Sequence, residues 1–141
     1  MSAMSLKFPF EYAEIEGLGK LFYPIVKLDL KTIYGWKEFD FLVDTGADVT
    51  TVPLHLLSVL GIEQEKLKVS ETLGVGGIKV KTWEFKLPVK IGNLELEIIA
   101  TAVDSKENSM PLLLGRKDIF ENRYNLFLDS KNKFVEIEEN L

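Results

Sequence analysis

The fold prediction begins from one stretch, Phe39-Asp40-Phe41-Leu42-Val43-Asp44-Thr45-Gly46-Ala47-Asp48. Its apolar run is typical of a buried strand, and the run ends abruptly in an acid, a hydroxyl residue and a glycine. Gly46 allows a tight turn, so the pattern places Asp44 at the lip of the strand, half out of the core. A carboxylate at such a position suits acid–base chemistry. Asp and Gly are also ordinary turn residues, so the triplet alone leaves a plain turn open.

Composition restricts the class of protein. The 141 residues suffice for one domain with a real core but not for two, and 46% of them are hydrophobic, which indicates a globular chain. The net charge is −5, so we expect no nucleic-acid partner, because phosphate binding needs clustered Lys and Arg. No apolar run approaches the roughly 20 residues of a membrane span, and the N-terminus lacks the pattern of a signal peptide.

Cysteine is absent from the chain, and His55 is its only histidine. These facts exclude disulfides and a thiol nucleophile, and a Ser–His–Asp triad would have to use His55. His55 lies among leucines with no partner residue nearby, so we expect a structural or surface role for it. We therefore expect no metal, no membrane contact and a cytoplasmic location.

Alternating apolar and polar residues predict a mostly β, single-domain protein. Residues 23–30 and 36–43 are predicted to form a hairpin that delivers Asp44. Short helices are predicted at 54–60 and 116–122.

The two ends of the chain have separate predictions. Residues 1–21 are predicted to be an N-terminal arm or edge strand, because Pro9 interrupts a short alternating pattern. Residues 124–141 are predicted to form a closing hairpin, since two apolar runs flank a polar turn.

Three glycines lie within the stretch Gly74-Val75-Gly76-Gly77, between two predicted strands. They predict a hairpin tip whose backbone can approach a ligand closely, with a plain flexible hairpin as the alternative. No Gly-Lys-Ser/Thr follows, so the pattern does not fit a phosphate-binding loop. After the tip, the apolar residues change from even to odd positions, and we predict a β-bulge near Thr82 that reconciles them.

Three motifs in order resemble the retropepsin-type aspartic proteases, the single-lobe relatives of pepsin. Residues 42–48 resemble the catalytic loop, residues 74–80 resemble the flap, and the stretch Leu112-Leu113-Leu114-Gly115-Arg116-Lys117-Asp118 resembles a segment near the family's C-terminus. The resemblance covers roughly residues 22–123. It implies a retropepsin-like acid-protease barrel with a β-hairpin flap and one or two short helices. The implied domain spans 22–141, with the C-terminal hairpin at 124–141.

The resemblance also implies roles for single residues. Asp44 would be the catalytic acid, Thr45 would lock two catalytic loops together, and Gly46 would present its carbonyl to the substrate. The implied substrate-binding residues are Ala47, Asp48, Gly74, Val75, Gly76 and Leu113. Arg116, paired with Asp48, and Asp118 would give structural support, with a solvated helix end as the alternative for both.

The chemistry of this family needs two carboxylates that share one proton. The chain has one Asp-Thr-Gly and no Asp-Ser-Gly, so it supplies half a site. We therefore predict a homodimer that brings Asp44 to its copy across a two-fold axis, and an aspartic endopeptidase that cuts peptides or proteins without a cofactor. The alternatives are a non-catalytic domain of this fold that binds peptides or dimerises, and an unrelated β fold with a chance triplet.

Two departures from the family pattern carry further expectations. Ala47 stands where pepsin-like enzymes often have Ser, whose hydroxyl stabilises the ionised aspartate. Because Ala donates no such bond, we expect a higher pKa for the carboxylate pair and activity at weakly acidic to near-neutral pH. Leu73 stands where retroviral flaps usually have another glycine. The resemblance therefore does not predict the backbone contacts of the flap.

Overall fold

The computed structural model describes residues 4–73, 75–104 and 110–140, and it is mostly β, as predicted. The strands are β1 (Ser5–Pro9), β2 (Glu11–Ile15), β3 (Gly19–Tyr23), β4 (Ile25–Thr32), β5 (Gly35–Val43), β6 (Thr50–Pro53), β7 (Lys68–Leu73), β8 (Lys79–Ile91), β9 (Leu94–Val103), β10 (Leu112–Leu114), β11 (Tyr124–Asp129) and β12 (Phe134–Glu139). Between β6 and β7 lie helix α1 (Leu56–Val59) and a 3₁₀ turn, Gln64–Lys66. No helix within the described ranges is long and apolar enough to cross a membrane.

The main sheet has seven strands in the order β4-β5-β10-β6-β9-β8-β7. A further pairing of β4 with β8, with Leu30 opposite Val89, joins the two sides of the sheet. Six strands therefore form a closed ring, and β7 pairs with no described strand other than β8. The short strand β10 pairs in parallel with β5 and antiparallel with β6. It thus ties the strand that leads into the Asp44 loop to the strand that leaves it.

The core lies inside this ring because the strands alternate buried and exposed positions. In β4, for example, Val26, Leu28 and Leu30 are buried while Lys27 is exposed. Burying an aliphatic side chain of this size contributes about 1.5–3 kcal/mol to folding. Other large side chains that are fully buried in the core are Phe41, Val52, Leu87, Ile91, Ile98, Leu114, Ile119, Tyr124 and Ile137.

Strand β1 and the hairpin β11–β12 form a second sheet of three strands, in the order β1-β12-β11. Strands β11 and β12 form a hairpin, and β1 is an edge strand of this sheet. Strands β2 and β3 form a separate hairpin that the sequence did not predict. The domain boundary between residues 21 and 22 stays a prediction.

The β-bulge predicted near Thr82 is wrong. Strand β8 runs unbroken for 13 residues, and its registers with β7 and β9 advance one residue at a time through this position. The apolar residues change parity there because β8 leaves the ring. From Lys79 to Lys81 its one partner among the described strands is β7, and no single face of this part is buried in the core.

The two short helices differ from each other. Helix α1 lies within the first predicted range, and the exposed His55 precedes it. The second is one π-helical turn, Arg116–Phe120, in which Lys117 and Asp118 have non-helical backbone angles. Asp118 has a φ of 67°, which places it in the left-handed region.

Candidate active site

Asp44 directly follows β5 and is half-buried at the start of a tight loop. The N–H of Gly46 donates to Asp44 Oδ1 at 3.1 Å, and the N–H of Ala47 donates to the Asp44 carbonyl at 3.1 Å. The N–H of Asp44 donates to the carbonyl of Leu114 in β10 at 3.0 Å. The loop therefore holds one carboxylate oxygen in place while the side chain stays accessible to solvent.

The backbone after β10 runs alongside this loop. The N–H of Arg116 donates to the carbonyl of Ala47 at 3.1 Å, and the N–H of Lys117 donates to the carbonyl of Asp48 at 2.9 Å. Together with the bond from Asp44 to Leu114, these bonds fix the loop at both ends. A plain surface turn would need no such support from a distant segment.

Gly115 allows this close approach. A Cβ at this position would overlap the backbone carbonyl of Val49 and lie 2.9 Å from the nitrogen of Thr50, so any side chain would separate the two segments. The N–H of Gly115 donates to Thr50 Oγ1 at 3.1 Å, and Thr50 is fully buried. Because a buried N–H without a partner is costly, the threonine hydroxyl completes the contact.

The side chain of Arg116 spans the loop. Its Nη1 donates to the carbonyl of Thr45 at 2.6 Å, and its Nη2 lies 2.6 Å from Asp48 Oδ1, so the expected ion pair with Asp48 is present. The side chain of Asp48 is 90% exposed and that of Arg116 43%, so the pair adds little to stability, about 0.2–1 kcal/mol. Its main effect is geometric, because a guanidinium donates in fixed directions.

The comparisons with known proteins agree with this geometry. The family model described as gag-polyprotein putative aspartyl protease matches residues 32–119, which include the Asp44 loop and the segment that supports it. The chain belongs to the retropepsin-like aspartic protease family. Among curated proteins, no sequence matches the chain.

Solved structures of retropepsin-like proteins share the fold. A retropepsin-like aspartic protease from Rickettsia conorii has a TM-score of 0.66 at 19% identity, covering 94% of this chain and 98% of that one. The EIAV protease complexed with the inhibitor HBY-793 has a TM-score of 0.53 at 21% identity, covering 67% and 82%. The retroviral protease-like domain of Ddi1 from Leishmania major has a TM-score of 0.54 at 12% identity, covering 84% and 94%. At these identities the likeness shows the fold alone.

Within this retropepsin-like fold, Leu113 lies next to the loop in the middle of β10. It is half-buried, with Leu42 of β5 opposite on one side and Thr51 of β6 on the other. Thr45 is exposed, and its hydroxyl donates to no residue in the described ranges. Ala47 is half-buried between the Asp44 turn and Arg116.

Asp118 connects the π-helical turn to a different strand, β9. Its Oδ2 accepts a hydrogen bond from the N–H of Ile99 in β9 at 2.8 Å. Its own N–H donates to Oε1 of Glu121 at 3.1 Å. Asp118 therefore anchors the π-helical turn to β9, while Arg116 connects the same turn to the Asp44 loop.

Residues 75–77 of the glycine-rich stretch form the tip of the hairpin β7–β8. The tip is a 3₁₀-like turn, Val75–Gly77, with φ of 83° at Gly76 and 76° at Gly77, values that side chains disfavour. Gly74 and the side chain of Val75 lie outside the described residues. All residues of β7 are exposed, and within residues 4–73, 75–104 and 110–140 the strand pairs with β8 and with no other strand.

The buried hydroxyl of Thr50 was not predicted from the sequence. Thr50 lies within the run 49–52, whose four residues are all β-branched, so the local sequence does not distinguish it from its neighbours. The burial of Tyr124 was not predicted either, and its hydroxyl has no hydrogen-bond partner in the described part of the chain. Burial raises the pKa of Tyr124, and the nearby Glu139 adds to the rise.

Proposed function

We propose that the chain is an aspartic endopeptidase that works as a homodimer and hydrolyses peptide bonds with a water held between two Asp44 carboxylates. The observation that carries this proposal is the fixed orientation of Asp44. Its Oδ1 accepts the Gly46 N–H, and the loop is bonded to β10 and to Arg116. Such support suits a carboxylate that must meet a reacting atom in a defined geometry.

The reaction needs one ionised and one protonated Asp44. The ionised carboxylate takes a proton from the water as the water oxygen attacks the carbonyl carbon, and the protonated one gives its proton to the carbonyl oxygen. The C–N bond then breaks as the carboxyl group that took the water proton gives it to the leaving nitrogen. One hydroxyl of the tetrahedral intermediate returns its proton to the other carboxylate, which leaves a carboxylic acid product and restores the starting pair. Two carboxylates about 3 Å apart would repel each other, which favours the sharing of one proton between them.

Other residues of the loop have proposed roles in this dimer. Thr45 is exposed, so its hydroxyl is available to bond the partner's copy of the loop. The carbonyl of Gly46 and the exposed carboxylate of Asp48 would accept hydrogen bonds from the backbone of an extended substrate. Leu113 would contact an apolar side chain of the substrate.

Strand β11 is the surface that we propose for dimerisation. In the described part of the chain it pairs with β12 only, so its other edge has unpaired N–H and C=O groups. Phe127 is 54% exposed and Leu128 42%, and Asp129, at the end, is the only charged residue of the strand. Monomeric proteins usually protect such an edge with charges or proline. Two antiparallel copies of β11 related by a two-fold axis would cover both edges.

The hairpin β7–β8 is the proposed flap. Its strands extend beyond the ring, and its glycine tip has the conformational freedom to close over a bound peptide.

The absence of cysteine fits the reducing cytoplasm, where we propose that the protein works.

The test is incubation of the purified chain with a mixed peptide library at pH values from strongly acidic to neutral. We expect cleavage that Asp44→Asn reduces to background, because the amide keeps the shape but exchanges no proton. Asp40→Asn is the matched control, since Asp40 is an exposed acid of β5, the strand that leads to Asp44, and it pairs with Lys27. Absence of cleavage by the wild type would favour the non-catalytic alternative, and cleavage that survives Asp44→Asn would refute the mechanism.

A further inference from the structure

The hairpin β7–β8 has two faces, and one of them continues the core-facing side of β8. Phe85 and Leu87 of β8 are buried in the core. Side chains two residues apart in a strand lie on one face, so Trp83, Lys81 and Lys79 continue the face that the core buries. Trp83 is half-buried and packs against the core. Along β8, this face therefore runs from the interior of the ring to the hairpin tip.

The register with β7 completes this face. Val69 lies opposite Trp83, Glu71 opposite Lys81 and Leu73 opposite Lys79, and residues directly opposite in an antiparallel pair share a face. We call this set the inner face of the hairpin: Val69, Glu71, Leu73, Lys79, Lys81 and Trp83. The outer face has Lys68, opposite Glu84, and Thr72, opposite Val80.

The inner face is positively charged on an otherwise acidic protein. It has two lysines and one acid, whereas the whole chain has a net charge of −5. Neither Lys79 nor Lys81 forms an ion pair with a residue in the described ranges, although other lysines of the chain do. Both ammonium groups are therefore available to a ligand. In a dimer the two hairpins would contribute two such faces.

We propose that the inner face selects peptide substrates with acidic side chains, glutamate in particular. Lys79 lies opposite Leu73, which is 74% exposed, so an apolar surface adjoins the ammonium group. A glutamate has the matching form, because its methylene groups can cover the leucine and the lysine stem while its carboxylate reaches the ammonium. This inference rests on the proposed function, since the inner face covers a substrate only if the hairpin closes over the cleft.

The same lysines have an ordinary explanation that the test must separate from selection. Strand β7 is an edge strand, and lysine on or near an edge suppresses pairing with other chains. Lysines that only keep the edge soluble would act equally from either face and would not distinguish substrates. Lys68 on the outer face therefore provides a matched control.

The experiment compares peptides that differ only by Glu or Gln, placed in turn at each position within about four residues of a mapped cleavage site. At one or more positions we expect kcat/KM about twofold to fivefold higher for the Glu peptide, as a partly exposed ion pair would give. The preference should shrink at high salt. The double variant Lys79→Met/Lys81→Met should bring the ratio close to one and still cleave the Gln peptide, while Lys68→Met should keep the wild-type ratio.

A binding measurement keeps the inference testable without cleavage. The Asp44→Asn variant should bind labelled Glu peptides more tightly than Gln peptides, and the preference should vanish when the two lysines are also replaced. Equal treatment of Glu and Gln at every position, or a preference that survives the double variant, would overturn the inference. Cleavage of the Gln peptide that depends on Asp44 would show at the same time that the proposed function stands.

Discussion

The guanidinium of Arg116 and the carboxylate of Asp48 meet at 2.6 Å, at the far end of the loop that begins with Asp44. The other terminal nitrogen of Arg116 donates to the carbonyl of Thr45, also at 2.6 Å. One side chain therefore links the two ends of the loop, and it belongs to a segment that β10 places beside the loop. The orientation of Asp44 thus depends on residues distant in sequence.

Arg116→Lys should lower kcat/KM about tenfold or more, because one ammonium cannot donate in both of the directions that the guanidinium serves. The melting temperature should change little, since the ion pair is exposed. Lys117→Met is the control, because it removes the exposed pair with Glu121 from the same turn and should leave kcat/KM unchanged. Full activity of Arg116→Lys would show that loop orientation does not depend on the guanidinium.

Thr50→Val should lower the free energy of unfolding by about 1–3 kcal/mol, because it leaves the buried N–H of Gly115 without an acceptor. Denaturant unfolding measures this change. Thr72→Val makes the same chemical change on the exposed strand β7 and should be close to neutral. If both variants unfold alike, the hydroxyl of Thr50 does not support the loop.

Phe127→Glu should weaken the proposed dimer, because it puts a charge on the exposed edge strand β11 and its copy, where the two would repel each other. Sedimentation equilibrium should show the dissociation constant raised by about tenfold or more. Tyr34→Glu, in the exposed turn between β4 and β5, should leave it unchanged. An unchanged dimer in the Phe127 variant would place the interface elsewhere.

Tyr124→Phe should leave the melting temperature at neutral pH unchanged or raise it, because the buried hydroxyl has no partner among the described residues. Burial raises the pKa of Tyr124 in the folded state. Its contribution to stability is therefore complete below the unfolded value of about 10 and is lost as the pH rises through the folded value. The wild type should lose more stability than the variant between neutral pH and about pH 11. Equal losses would contradict the stated cause of the pKa shift.

Local signals were sufficient to predict much of the fold. Alternation and turn residues are properties of neighbouring positions, so the strand that leads to Asp44, the hairpin around Gly76 and the closing hairpin β11–β12 were visible in the sequence. The misplaced bulge at Thr82 shows the limit of that reasoning. The alternation rule assumes that one face stays buried along a strand, and β8 leaves the core part-way.

The contacts that hold the Asp44 loop in place could not be predicted from such local signals. The burial of Thr50 depends on β10 pairing beside β6, and this pairing joins segments far apart in sequence. The close approach of Gly115 to Val49 has the same origin. A glycine after an apolar run predicts a turn, but it does not predict which backbone segment packs against the glycine.

If one chain provides half of a catalytic site, activity requires two intact copies of Asp44, and a mixing experiment measures this requirement. Equal amounts of wild type and Asp44→Asn are allowed to exchange subunits, with total protein fixed well above the dissociation constant of the dimer. Random pairing leaves about a quarter of the dimers with two Asp44 residues, so we predict about a quarter of the activity of the same total amount of wild type. Activity of about one half would mean that each chain works alone, which would contradict a shared pair of Asp44 carboxylates.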